Sequence, residues 1–411
     1  MTTSTISSKA LVLHGPKDLR LEQKQVPAPT STELQVSVRG TGICGSDLHY
    51  YSHGRNGDFV VREPMVLGHE SWGVVTGIGP NVAEGRFKIG DRVALEVGFP
   101  CRECPLCRQG RYNICSRLRF RSSAKTFPHL DGTLVELTNH PAELCHPLPS
   151  TVSDVGGALL EPLAVCLHGI RRSKPPTKEE VELTKAAGGH GEKETAALVF
   201  GAGAVGLLLA AALATSENFT SIVVADIDAG RLGITKALNL GLKTVLIPQN
   251  PLGKDKSAAT PPPADAPHAE QVAYALQTAQ GLATILKESA GALHGFSRVY
   301  DCTGVPACVQ AGIYAAAAGG TLVQIGMGNP VQTLPIGAAA LREVDIIGVF
   351  RYDGQAYPAA IALMASGKLS CVEEKVVTHW LKLEEGNRAF TLAGKGVDEE
   401  GKPVVKVVIE A

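Results

Sequence analysis

Short alternating runs of apolar and polar residues fill the first 150 positions. Ala10-Leu-Val-Leu13 and Leu34-Gln-Val-Ser-Val38 read as β-strands, with proline and glycine between them; Gly73-Val-Val-Thr76 and Arg92-Val-Ala-Leu95 continue the series. The pattern predicts an irregular, β-rich region without alternating helices. Over 159–170 the period turns helical, and Lys174-Pro-Pro-Thr-Lys-Glu-Glu180 reads as an exposed connector. From Ala197 the texture changes. A strand over 197–200 runs into Gly201-Ala-Gly-Ala-Val-Gly206 and an apolar helix over 207–214; a strand over 222–225 ends in Asp226. A helix closing near Leu240-Gly241, strands over 244–247 and 298–300, a helix over 307–318 and a strand over 321–325 follow. Such alternation predicts a doubly wound parallel sheet.

Two stretches interrupt that rhythm, 174–195 and 248–268. Both are rich in Lys, Glu, Gly, Ala and Pro and are expected to be solvated surface insertions, because they can bury little apolar area. After Val344 come a β-like run over 345–350, a helix over 357–366 and a last strand over 404–410, a tail expected to return to the first domain. The expected division is therefore 1–165 with 345–411 as one domain and 166–344 as the other. No internal repeat is visible.

Length and charge narrow the picture. At 411 residues the chain exceeds one ordinary core and fits two domains. The 39 basic and 40 acidic residues nearly cancel, which argues against nucleic acid or an anionic membrane as a partner and leaves small molecules. No secretory signal pattern opens the chain and no long apolar run crosses it, so a soluble, cytoplasmic protein is the expectation.

Three clusters carry candidate chemistry. Cys101-x2-Cys104-x2-Cys107-x7-Cys115 can wrap one tetrahedral zinc with no open position; iron–sulfur ligation is the rival. The run Gly201-x-Gly203-x2-Gly206, with Ala204 and Val205 inside it, follows a strand and opens a helix, and Asp226 stands 20 residues on. Glycines there admit a pyrophosphate to the helix N-terminus, and the carboxylate can accept from the ribose hydroxyls. It would repel a 2′-phosphate, favouring NAD over NADP, with Arg231 the one nearby cation. In the window 44–70, Cys44, His69 and Glu70 offer three zinc ligand types and would leave a fourth position for water or substrate; a buried free cysteine and a satisfied histidine that never meet is the alternative. Glu161, inside an apolar run, must sit at a rim or face a cation. Ser46 and His49 could pass a proton. His14, His129, His140, His146 and His379 lack ligand spacing.

The chain resembles the zinc-dependent medium-chain alcohol dehydrogenases, and within them the polyol dehydrogenases. Gly42-Ile-Cys-Gly-Ser-Asp-Leu-His-Tyr50, Pro64-Met-Val-Leu-Gly-His-Glu70, Gly90-Asp-Arg-Val93, Leu159-Leu-Glu-Pro-Leu163 and Val349-Phe-Arg-Tyr352 carry the likeness. The resemblance implies a β-rich GroES-like catalytic domain and a Rossmann domain for NAD. It implies a catalytic zinc on Cys44, His69 and Glu70 with Glu161 nearby, and a polyol pocket of Tyr50, Phe59, Phe120, Glu161, Arg351 and Tyr352. It also implies reversible oxidation of a polyol to a ketose, and a homodimer or homotetramer. A dehydrogenase for short diols, or a non-catalytic NAD-binding zinc protein, are the other readings.

Overall fold

The computed structural model describes residues 5–186, 195–216, 218–252 and 261–411. Contacts divide the chain into two units, one of residues 1–165 with 351–411 and the other of residues 166–350.

The first unit is built on β-structure. Its larger sheet runs in the order Cys145–Pro147, Arg92–Leu95, Glu70–Ile78, Glu33–Gly42, Lys406–Glu410, Val377–Lys382, and Leu137–Pro141 pairs with the far part of Glu33–Gly42. A smaller sheet has Thr5–Gly15 between Asp18–Pro27 and Met65–Val66. Inward residues of both sheets, among them Leu11, Leu13, Val38, Met65 and Ile409, form one core with Leu67 and with Phe390 of the helix Gly386–Ala393. Among the described residues one pairing in the larger sheet is parallel, that of Lys406–Glu410 with Val377–Lys382; Lys406–Glu410 also runs antiparallel to Glu33–Gly42, so it lies inside this sheet.

The second unit is a parallel sheet of six strands in the order Lys243–Leu246, Ser221–Asp226, Ala196–Phe200, Phe296–Asp301, Ala316–Gln324, Asp345–Gly348. Numbered along the chain this is 3-2-1-4-5-6, the order that places a crevice beyond the carboxyl ends of the first and fourth strands. The core strands are near-continuous apolar runs such as Ala196–Phe200, all buried, as a sheet covered on both faces requires.

The structure departs from the sequence reading in four places. The strand Asp345–Gly348 extends the parallel sheet through its pairing with Ala316–Gln324, so the chain leaves this unit after Phe350 and not at 344. The helix expected to reach 318 is Pro306–Ala315; the backbone turns extended at Ala316, and Gly319 takes a φ of 69°. Lys178–Ala186, within the supposed connector, is a helix whose Val181 is buried; residues 187–194 of that stretch lie outside the described residues, as do 253–260 of the other. That second stretch ends where a helix of 23 residues begins, His268–Ala290, which buries Ala279, Leu282, Ala283, Leu286 and Ala290 at helical spacing.

Candidate active site and metal centres

The helix Gly45–His53 starts at Cys44, whose extended backbone marks the N-cap. Asp47 closes that cap by accepting from the Cys44 amide at 3.1 Å. The strand Glu70–Ile78 begins where the preceding loop delivers His69. Gly68 has a φ of 91°, and a Cβ there would strike Leu134 and Thr41, so only glycine allows this approach. The result brings Cys44, His69 and Glu70 together, with one ligand atom of each within 4.8 Å of the others. Ser46 and His49 stand on the same helix, His49 exposed.

Two buried groups that the sequence reading did not assign complete this site. Asp47 Oδ1 lies 3.3 Å from His69 Nδ1 and accepts from Ser122 Oγ at 2.7 Å. Burial raises the Asp47 carboxyl, but His69, Ser122 and the Cys44 amide outweigh it, and its pKa falls below the ordinary value. Lys406 Nζ donates to both Glu70 oxygens at 2.8 and 2.6 Å and to the Ile43 carbonyl at 3.0 Å. The Lys406 signal was present as a lone lysine in Val404-Val-Lys-Val-Val408, an inward position of an otherwise apolar strand. The site draws positive charge: burial pulls the His69 imidazole down, yet Asp47 and Cys44 raise its pKa well above the usual value. A soft thiolate, an imidazole and a carboxylate in this field fit a zinc ion with an open position.

Phe120 stands between this cluster and the expected substrate groups. Its ring lies edge-on to His69 at 5.7 Å and 6.5 Å from the Tyr352 ring, and the Arg351 guanidinium sits 3.7 Å from its centroid. Glu161, buried in the helix Asp154–Arg172, is pushed up to about 7 by burial, with Glu70 adding to the rise and His69 opposing it. The Tyr352 hydroxyl is buried with no hydrogen-bond partner among the described residues, an orphan that a polar ligand could satisfy. Tyr50 is more deeply placed: its ring belongs to the core and its hydroxyl accepts from the Ala124 amide at 3.0 Å. Phe59 packs against that same core.

The four loop cysteines also converge. Sulfur separations are 3.8 Å for Cys101 to Cys107, 3.4 Å for Cys104 to Cys107 and 3.5 Å for Cys115 to Cys101. A zinc–thiolate tetrahedron with 2.3 Å bonds has edges of about 3.8 Å, so the set fits a closed, structural zinc. In the second unit, Gly201 has a φ of 96° and a Cβ on Gly206 would collide with the Gly201 carbonyl, whereas one on Gly203 would meet nothing within 4 Å. Gly203 therefore leaves space in front of the helix Ala204–Ser216, where Ala204 and Val205 supply its first turn. Asp226 accepts from the Ala202 amide at 2.5 Å and the Asp228 amide at 2.8 Å. A carboxylate has about four lone-pair positions, so acceptor capacity remains for ribose hydroxyls. Arg231 is half-buried on the following helix, its Nε without a partner among the described residues.

Residues 30–150 match the alcohol dehydrogenase GroES-like domain model, and residues 204–366 match the zinc-binding dehydrogenase model. The sorbitol dehydrogenase of Gallus gallus is 36% identical, covering 96% of each chain. A probable D-xylulose reductase A of Emericella nidulans is 36% identical over the same shares. The crystal structure of L-idonate 5-dehydrogenase from Escherichia coli superposes with a TM-score of 0.77 over 100% of both chains, at 24% identity, which shows the fold. Among the described residues no helix is long and apolar enough to cross a membrane. With two such relatives above one-third identity along nearly their whole length, the chain belongs to the zinc-dependent medium-chain alcohol dehydrogenase family, in the branch that holds the sorbitol dehydrogenases and D-xylulose reductases.

Proposed function

We propose that this chain is a zinc- and NAD-dependent polyol dehydrogenase that reversibly oxidises a secondary hydroxyl of a sorbitol-, xylitol- or L-arabinitol-type substrate to the ketose. The observation that carries the reading is the convergence of Cys44, His69 and Glu70 beside Phe120, Arg351 and the unsatisfied Tyr352 hydroxyl. On this reading residues 1–165 and 351–411 form the catalytic domain and residues 166–350 the NAD-binding domain. Cys44, His69 and Glu70 hold the catalytic zinc, and Cys101, Cys104, Cys107 and Cys115 a structural one.

When bound, zinc supplies Lewis acidity that lowers the pKa of a substrate hydroxyl, and NAD supplies the hydride acceptor. The residues do the rest. Asp47 and Lys406 fix His69 and Glu70 in place, so that the ligand set needs no rearrangement. Arg351 donates to distal hydroxyls, and Phe120 and Tyr352 close the apolar and polar sides of the pocket. Glu161, buried beside His69 and Glu70, is placed to hold or pass on a proton at the site. Ser46 and the exposed His49 form the outward path for the released proton. Gly201, Gly203, Ala204, Val205 and Gly206 receive the pyrophosphate, and Asp226 the adenosine ribose, with Arg231 beside it.

The chain self-associates through the second unit. Asp345–Gly348 ends the sheet in that unit as an edge strand, and Ile346, Leu341, Val331 and Ile336 are exposed there or just before it. A homodimer or homotetramer in the cytoplasm is the proposed state.

The deciding experiment is a substrate panel of sorbitol, xylitol, L-arabinitol, 2,3-butanediol and ethanol with NAD and with NADP, followed by nicotinamide absorbance, beside metal analysis. The expected result is turnover of polyols with NAD and two zinc per chain. Turnover confined to the short diol would replace the substrate class, and no turnover of any alcohol by zinc-replete protein would sink the enzyme reading.

A further inference from the structure

We propose that the four-cysteine loop is a positioning element of the substrate site, holding the Arg351 turn and Phe120 in place. The inference rests on the reading of Arg351 as a substrate-binding group.

Arg351 has a φ of 56°, a left-handed backbone that costs an L residue free energy and persists only where its surroundings enforce it. Three contacts do so. The guanidinium lies over the Phe120 ring, and its Nη2 donates to Ser123 Oγ at 3.1 Å. The third comes from the loop: the Gly354 amide, three residues after Arg351, donates to the Gly110 carbonyl at 3.0 Å. Gly110 lies between Cys107 and Cys115, so this bond joins the segment after Arg351 to the four-cysteine loop.

Phe120 is governed from the same place. The Leu118 amide bonds the Cys115 carbonyl at 3.1 Å, and Phe120 then pairs antiparallel with Gly98. A Cβ on Gly98 would lie 3.1 Å from the Tyr112 ring and one on Gly354 3.8 Å from it, so this buried ring is packed between the two segments. The Tyr112 hydroxyl donates to the Glu96 carboxylate, whose other oxygen is held by His146 Nε2 at 2.6 Å. Tyr112 thus anchors the loop to the sheet while Gly110 reaches the turn. A loop that served stability alone would need no bond to the backbone three residues from the strained arginine.

The test uses the full-length zinc enzyme and two variants. Cys107→Ser removes a metal ligand, and Tyr112→Phe keeps all four cysteines while deleting the anchor to Glu96. In Cys107→Ser, zinc should fall from two to one per chain, and hydrogen exchange at the Gly354 amide should accelerate relative to amides of Arg92–Leu95. KM for the polyol should rise on the order of tenfold, while KM for NAD stays within about twofold. Tyr112→Phe should keep both zinc ions and show the same split, several-fold in size. Unchanged Gly354 exchange and unchanged polyol KM in Tyr112→Phe would overturn the proposal even if Cys107→Ser failed to fold. Arg351→Ala separates the underlying reading: if it left polyol KM unaltered, the substrate half would fall, while Gly354 exchange in Tyr112→Phe would still report whether the loop holds the turn.

Discussion

Arg121 is a buried guanidinium whose hydrogen bonds in the structure go to neutral acceptors. Its Nε donates to His140 Nδ1 at 3.1 Å, Nη1 to the Asp131 carbonyl at 3.1 Å and Nη2 to the Asn139 carbonyl at 2.5 Å. These bonds fix the backbone just before Ser122, itself left-handed at a φ of 56°, whose hydroxyl steadies Asp47 behind His69. Because His140 Nδ1 accepts, its proton sits on Nε2, which donates to the Glu96 carbonyl at 3.2 Å. Burial, reinforced by Arg121, drives the His140 pKa well below its ordinary value. The sign follows. Below the unfolded histidine value of about 6.5 the unfolded chain binds a proton that the folded chain refuses, so stability falls as pH falls, by up to about 1.4 kcal/mol per pH unit. His140→Gln should flatten the decline of melting temperature between pH 6.5 and 5 relative to the parent, whatever its effect at pH 7.5. Parallel curves would show that another group supplies the dependence. None of this was legible beforehand, since His140 and Arg121 carry no motif and meet only when the chain folds.

At the scale of elements, the glycine turn and the strand ending in Asp226 were readable because the dinucleotide pattern is local and periodic. Asp226→Ala removes a charged acceptor worth roughly 1.5–3 kcal/mol per hydrogen bond, so the ratio of NAD to NADP in kcat/KM should drop on the order of 10- to 100-fold. An unchanged ratio would remove the ribose role. The same substitution frees the Ala202 and Asp228 amides, so a fall in NAD efficiency without a change of ratio would point to the turn alone. The helix His268–Ala290 was harder to read, although its buried face repeats every three or four residues. That face is made largely of alanine and leucine, and it follows Pro261-Pro-Pro263 in a stretch whose composition suggests solvent. Residues 269–290 therefore carried no predicted element: an alanine-rich face contrasts weakly with its surroundings, and the sheet the helix covers fixes it.

At the scale of the molecule, the exposed apolar residues on and before the edge strand of the second unit are what support the proposed self-association. Leu341 and Val331 are 90% and 86% exposed, and the neighbouring strand has one unpaired edge. Light scattering after size exclusion should give a dimer or tetramer for the parent chain, and the double variant Leu341→Glu, Ile346→Lys should shift the mass downward with retained secondary structure. A parent chain that runs as a monomer at micromolar concentration would end that proposal.

What the sequence by itself determined was whatever is encoded at short range. The four cysteines within 15 positions, the glycine run with its acidic partner, the alternation of strand and helix after 197 and the ligand types at 44, 69 and 70 are all spacings along one segment. Tertiary structure alone decided which distant side chains complete them. Lys406 reaches Glu70 across 336 positions, Ser122 reaches Asp47 across 75, and the Gly354 amide finds Gly110 from the other end of the same unit. A buried charge or amide takes whatever partner the packed sheet brings to it, and that partner leaves no periodic trace in the sequence.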